Sequence, residues 1–545
     1  MSRRSRWPLL AGLVLAIAAA SALRYATRGE TGPQVPAHGG RYLEAVVGSP
    51  LRVNPLYAAF NDVDKDLAAL VFSGLTRLGP DGTVLPDLAE SWEVSPDARV
   101  YTFHLRRGVI WHDGTAFTAD DVIFTWSALS DPDFKGEPSL GQFWQQVECT
   151  KKDDFTVVCE LPQPFAPFLA HTTIGILPRH RLEGLSAEGL FIAPFNEQPI
   201  GTGPFILRSL DSQRALLASN PSYHWGEPAI AEMELRFFSN YPTAASALQD
   251  GQVQGLFLSP EASPDILEQL EQDKKLQHLA SHRNSYTLLY LNTRMPPLDD
   301  SSVRQAILCA LDRETIIADR LDGRAQLADS PIVPGTWAYS DDVRSYGHDP
   351  QRARLLLEED GWQVNSRGAL EKEGAELRLA ILADNDPERV AIGQEIAQQL
   401  RAIGVDASLQ SPAGSELVRD FLLPHRFQAV IYGWDQGYDP DPYPAWHSSQ
   451  AQERGFNLAG YSDEYLDQVL SQGRQISDLE QRKALYREFQ QIFAEEVPSI
   501  LLFYPVYNYF VDKDVKGVRL GVLFEPASRF ANAHQWYVKA KRAGS

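Results

Sequence analysis

The densest run of side chains able to do chemistry is Gly433-Trp434-Asp435-Gln436-Gly437-Tyr438-Asp439-Pro440-Asp441. It sets three carboxylates, two aromatic rings and an amide close together. An apolar stretch at 429–432 precedes it, and glycine and proline lead out of it. The spacing therefore predicts a loop at the carboxyl end of a strand. Open α/β sheets hold ligands at such loops. Proline fixes φ and aspartate caps turns, so the Asp-Pro-Asp-Pro run is also read as loop geometry. A second candidate is Gly201-Thr202-Gly203-Pro204-Phe205, whose glycines permit close backbone approach. It lacks the GxxxxGK[ST] pattern of a phosphate cradle and is read mainly as structural.

Catalysis is not expected. The chain is rich in acids, and paired carboxylates can hydrolyse glycosides. However, GxSxG, a Cys/His nucleophile signature and a dinucleotide fingerprint are all missing. HExxH and CxxC are missing too, so neither a metal nor a cofactor is expected.

Elements of both kinds must position these residues. Tyr101, Phe103 and Leu105 alternate with polar neighbours, the period of a half-buried strand. Thr118 to Asp121 resembles a capping box opening a helix. Asp349-Pro350 and Asp386-Pro387 open two further helices that close at Gly361 and Gly404. A third is expected between Ser477 and Pro498, with Leu485, Phe489, Ile492 and Phe493 on one side. The helix VRQAILCALDRE buries Val303, Ile307 and Leu311, which leaves Arg304 and Arg313 for the surface or for ion pairs and makes Cys309 an inert core residue. SYTLLYLN, ELRLAIL, QAVIYGW and SILLFY supply the intervening strands. The class is α/β with antiparallel elements mixed in.

Four blocks resemble the peptide/nickel class of ABC-transporter substrate-binding proteins, family 5 of the extracellular solute-binding proteins. They run from Val71 to Trp126 (VFSGLTRLGPDG…DDVIFTW), over PIGTGPFIL at 199–207, over LNTRMPPLDDSSVRQAILCALDRETII at 291–317 and over GWDQGYDPDPYPAWHSS at 433–449. The resemblance implies a two-lobed periplasmic-binding-protein-like fold of the cluster C type with an extra subdomain. The first lobe's core would take 42–75, 199–282 and 504–545, the added subdomain 76–198, and the second lobe 283–503. The chain would cross between lobes near Arg283 and Pro505. The implied role is extracytoplasmic capture of an oligopeptide-like ligand for the permease subunits of an ABC importer, by a monomer. A nickel chelate, a haem-like molecule or an oligosaccharide is the alternative cargo, and sensing for a membrane receptor the alternative role.

The resemblance also implies site residues. Trp434 matches the family's aromatic beside the ligand. An aspartate three residues later pairs with the peptide's amino group in peptide-binding members, and here that position is Gly437. Asp435 or Asp439 is the candidate replacement, with Tyr438 in the same loop. Phe60, Asn61 and Asp62 stand where members offer backbone to the peptide, and Asn457, Tyr461 and His447 are candidates lining the second lobe.

Composition fits this role. At 545 residues the chain exceeds one hydrophobic core. Its net charge of −21 repels phosphate backbones, which excludes nucleic acid as a partner. Arg3, Arg4 and Arg6 precede an apolar run from Trp7 to Leu23. Residues 1–28 are thus expected to be a signal peptide or an N-terminal membrane anchor, and 29–41 a linker. No cysteine lies near this segment, so a lipoprotein is not expected. Cys149 and Cys159 flank a hairpin expected to turn at 151–154, within disulfide reach in an oxidising compartment.

Overall fold

The computed structural model describes residues 34–542, and the expected leader at 1–28 lies outside them. Within the expected linker, Gln34–Pro36 pairs antiparallel with Ala540–Arg542. This is a pairing between chain ends, which local composition does not reveal.

Twelve strands share one hydrogen-bonded network, organised by Ser499–Asp512, a strand of 14 residues. Its first part pairs with Ser285–Leu291, followed by Ala429–Asp435, Arg378–Leu382 and Asp406–Gln410. Its last part pairs with Leu276–His282 and Gly255–Leu258. Beyond these lie Arg41–Val47, Glu232–Phe238, Arg214–Ser219 and Phe205–Leu210. Four buried apolar clusters cover these two parts, and none mixes residues 285–504 with residues outside that span. Two separately packed lobes follow. The neighbouring segments 282–285 and 504–506 run between them, a geometry suited to hinge closure.

A four-stranded antiparallel sheet, Ala89–Val94, Val100–Leu105, Thr156–Glu160 and Glu148–Asp153, stands apart from the main network. Trp126 and Trp144 stack at 5.0 Å beneath it. Cys149 lies directly opposite Cys159 and is disulfide-bonded to it. The hairpin turns at 154–155, later than the sequence suggested, because a register irregularity between Lys151 and Asp153 lets the first strand run further.

Punctuation read from sequence has clear physical counterparts. Asp349, Asp386 and Asp478 accept first-turn amides of Pro350–Glu359, Pro387–Ala402 and Leu479–Glu496. Such caps contribute about 1 kcal/mol each. Gly361 and Gly404 adopt positive φ just beyond two of these helices. Two arginines form the ion pairs expected of them, Arg304 with Glu496 at 3.7 Å and Arg313 with Asp329 at 2.9 Å, but neither lies on the surface. Arg304 is buried and donates to the carbonyls of Leu298, Asp299, Glu496 and Val497. Arg313 is buried and donates to Ala328, Leu501 and Tyr346 carbonyls as well as to Asp329. Both satisfy backbone groups at strand and helix ends, a demand that arises only when distant segments meet.

Candidate functional site

The cleft floor is built where the two lobes cross. Asn284 N–H donates to Leu523 O at 2.7 Å, and Leu523 N–H donates to His282 O at 2.9 Å. Asn284 O accepts Gln436 N–H at 3.0 Å, and its Nδ2 donates to Gly437 O at 2.9 Å. The Trp434 loop is thereby fastened to the crossing segment. Gln436 is held further by its Nε2, which donates to Pro331 O at 2.7 Å.

The strand Ala429–Asp435 has an open edge. Asn292 N–H donates to Gln428 O and Gln436 N–H to Asn284 O, so in the antiparallel register the even-numbered residues from 428 to 436 bond to the Ser285–Leu291 strand. The backbone groups of Ile431, Gly433 and Asp435 therefore face the other way. On that side Arg378–Leu382 pairs only as far as Ala429 and Val430. Beside the unpaired stretch lies a cavity of about 680 Å³ lined by Asp384, Arg389, Ser415, Val418, Tyr432 and Gly433, among others. Arg389 donates to Asp384 at 2.6 Å. A strand edge over a cavity can accept an extended peptide as an added strand.

Each acid of the loop already has a partner. Asp435 is ion-paired with Arg283, and its Oδ1 accepts the Gly437 amide at 2.9 Å. Asp439 receives both terminal nitrogens of buried Arg482, at 2.7 and 3.0 Å. Asp441 pairs with Arg474 at 2.9 Å, and burial raises its pKa. Gly437 itself has φ +69° with open space where a side chain would stand. Tyr438 reaches across the cleft, its hydroxyl donating to Glu525 at 3.0 Å. Trp434 is half-buried against Phe456, ring centroids 5.7 Å apart, and its buried indole N–H meets no acceptor among the described residues.

The remaining expected residues are scattered in role. Phe60 is 78% exposed. Asn61 caps the helix Asp62–Val71 by accepting Asp64 N–H, while its Nδ2 donates to Ser49 O. Asp62 pairs with Lys65 at 3.0 Å. Asn457 is 0% exposed, and its Nδ2 donates to the carbonyls of Trp446, His447 and Tyr461. It is a bracing residue beneath the loop, with no surface to offer a ligand in this conformation. His447 stacks on Tyr443, and its Nε2 bonds Ser471. Gly201 and Gly203 press against the backbone of Val71, where a Cβ would fall 1.8 and 2.5 Å from its atoms. Both carbonyls and the Gly201 amide bracket His112, whose pKa burial lowers to about 4.

Sequence reasoning missed Arg283, Asn284, Asp384, Arg389 and Glu525. Only Arg389 carried a signal, following the Asp386-Pro387 helix start beside a strand end. His278 and His282 also stand four apart, a spacing that joins metal ligands on a helix, but they lie on the strand Leu276–His282. No group of three or more metal-ligating side chains is found among the described residues.

Unsatisfied polar atoms gather at this same floor. Arg283 Nε, Asn284 Oδ1, Trp434 Nε1 and Gln436 Oε1 are buried without a hydrogen-bond partner among the described residues. Native structures satisfy nearly all such atoms, and these four lie on two paired segments.

The model for bacterial extracellular solute-binding proteins, family 5 Middle, matches residues 83–456. The oligopeptide-binding protein AppA of Bacillus subtilis is 30% identical over 513 residues, 92% of each chain. Its structure in complex with a nonapeptide aligns with 93% of this chain and 100% of its own, with a TM-score of 0.66 and 28% identity. NikZ from Campylobacter jejuni, in complex with Ni(L-His), aligns with 91% of this chain and 99% of its own, with a TM-score of 0.67 and 29% identity.

Proposed function

The chain belongs to family 5 of the bacterial extracellular solute-binding proteins, and on that premise we propose that it captures a short peptide between its lobes and delivers it to an ABC importer. The observation carrying this reading is the unpaired edge at Gly433 and Asp435, beyond the last bridge to Leu382, over the Arg389 cavity. A peptide backbone would pair with that edge, which gives affinity independent of side-chain identity. Trp434 would cover one face of the bound chain, and the Arg389 guanidinium would receive a carboxylate. Phe60 and Asp62 would face the ligand from the first lobe.

The added subdomain would extend the wall opposite the second lobe, where Ala166 N–H already donates to Arg474 O at 2.7 Å. The protein would work outside the cytoplasmic membrane as a monomer, with residues 1–28 as signal peptide or tether. Binding followed by release, without turnover, completes the cycle.

Native mass spectrometry of the purified protein and isothermal titration with a defined mixture of peptides two to nine residues long test this. Stoichiometric binding of peptide is expected. Exclusive binding of a metal chelate, a haem-like molecule or a sugar would refute the peptide assignment while leaving the two-lobed capture intact.

A further inference from the structure

Buried carboxylates in this protein are, with few exceptions, held by a cation or by several donors. Glu44 and Asp66 receive Arg529, Asp439 receives Arg482, and Asp441 receives Arg474. Asp64 accepts two backbone amides. Glu525 differs. It is half-buried at the lobe boundary, caps the turn that begins at Pro526 and accepts the Tyr438 hydroxyl from across the cleft. No cationic nitrogen lies within 4.0 Å among the described residues, so that Lys65 and Arg283 act on it only from further away. Its position is fixed from two sides. Leu523, two residues earlier, is bonded to His282 and Asn284 of the crossing segment. Arg529, four residues later, is anchored to Asp66 and Glu44 in the first lobe's core.

Burial raises the pKa of Glu525, and Lys65, the Tyr438 hydrogen bond and Arg283 offset that rise only in part. The surrounding floor adds acceptors. Asn284 and Gln436 have donated their amide nitrogens to Gly437 O and Pro331 O, which leaves buried Asn284 Oδ1 and Gln436 Oε1 without donors. An ammonium group has three donors and no acceptor, so it answers these two oxygens. The orphaned donors of the same floor, Arg283 Nε and Trp434 Nε1, need an acceptor from elsewhere on the ligand. Loop acids Asp435 and Asp439 cannot serve as well, because an incoming ammonium would have to displace Arg283 or Arg482.

We propose that Glu525, on the first lobe, is the carboxylate that selects a protonated amine on the ligand, with Tyr438 closing over it from the second lobe. The inference rests on the peptide reading above and specifies its chemistry. The amine is either the peptide's amino end or a lysine side chain.

Titration calorimetry on the full exported chain separates these sources. The probes are a tetrapeptide without lysine, its N-acetylated form, and an N-acetylated tetrapeptide carrying lysine. Wild type is expected to prefer at least one amine-bearing probe over the acetylated lysine-free one by about tenfold or more, as for a hydrogen-bonded charge pair. Glu525→Gln keeps an acceptor for its local turn and is expected to abolish that preference. Tyr438→Phe, which removes only the hydroxyl, is expected to keep it. Preference for the free amino end assigns the terminus, and preference for the acetylated lysine peptide assigns the side chain. Equal affinity of wild type for all three probes overturns the inference while sparing the peptide reading, as does a preference that survives in folded Glu525→Gln. Failure of wild type to bind any probe overturns both.

Discussion

Asp439 is the loop acid whose role the structure distinguishes most sharply from ligand recognition, and Asp439→Asn tests that distinction. The carboxylate holds Arg482 through two hydrogen bonds at 2.7 and 3.0 Å, and both side chains are about nine-tenths or more buried. Arg482 cannot leave, because it also donates to Gly473 O and Tyr486 Oη and lies 4.9 Å over the Trp337 ring. The substitution therefore strands a buried guanidinium, a change that costs about 3–5 kcal/mol. For a cooperative lobe of about 220 residues the unfolding entropy is near 0.5 kcal/mol/K, so the melting temperature should fall by about 6–10 °C. Peptide affinity of the folded variant, measured by titration well below its transition, should stay within about threefold of wild type. The reasoning is refuted if Asp439→Asn melts like wild type yet loses ligand, since the acid would then face the cleft.

Three further outcomes follow from the same geometry. Arg389→Ala should weaken peptide binding by about tenfold or more, with little change in melting, and C-terminally amidated peptides should lose less; equal losses for acid and amide would remove Arg389 from the carboxylate role. Gly203→Ala forces a Cβ to within 2.5 Å of the Val71 backbone, so destabilisation of about 1–3 kcal/mol is expected by chemical denaturation. His112 stays neutral in the fold down to about pH 4, whereas in the unfolded chain it protonates near pH 6.5. Acidification across that window favours the unfolded state. His112→Gln should therefore show a smaller drop in melting temperature between pH 7 and pH 5 than wild type, and an unchanged drop would contradict the burial argument.

Legibility from sequence tracked the range of the forces involved. Asp386-Pro387 and Gly404 announced their helix because caps and positive-φ exits act over three or four residues. ILLFYPVYNYFV was recognisable as strand from its branched and aromatic residues, but that it forms one strand of 14 residues was not. That length depends on partners from both lobes. Asn457 was a candidate because it follows the Trp434 loop, where the second lobe would be lined. In the fold it braces three carbonyls. Arg304 and Arg313 form the ion pairs expected of them, but their burial and their bonds to carbonyls were not legible, since nothing local says that a distant strand end will need donors.

The sequence by itself determined the family, through four ordered blocks, and placed the Trp434 loop at a strand's carboxyl end. It also showed that position 437 is a glycine. Only the tertiary structure decided what each loop acid does, because ion pairs form across separations that no spacing encodes. Arg283, Arg474 and Arg482 engage the loop carboxylates. Glu525, 87 residues from its Tyr438 partner, became a candidate only when chain crossing set it at the cleft floor, with Lys65 and Arg283 near but not in contact among the described residues.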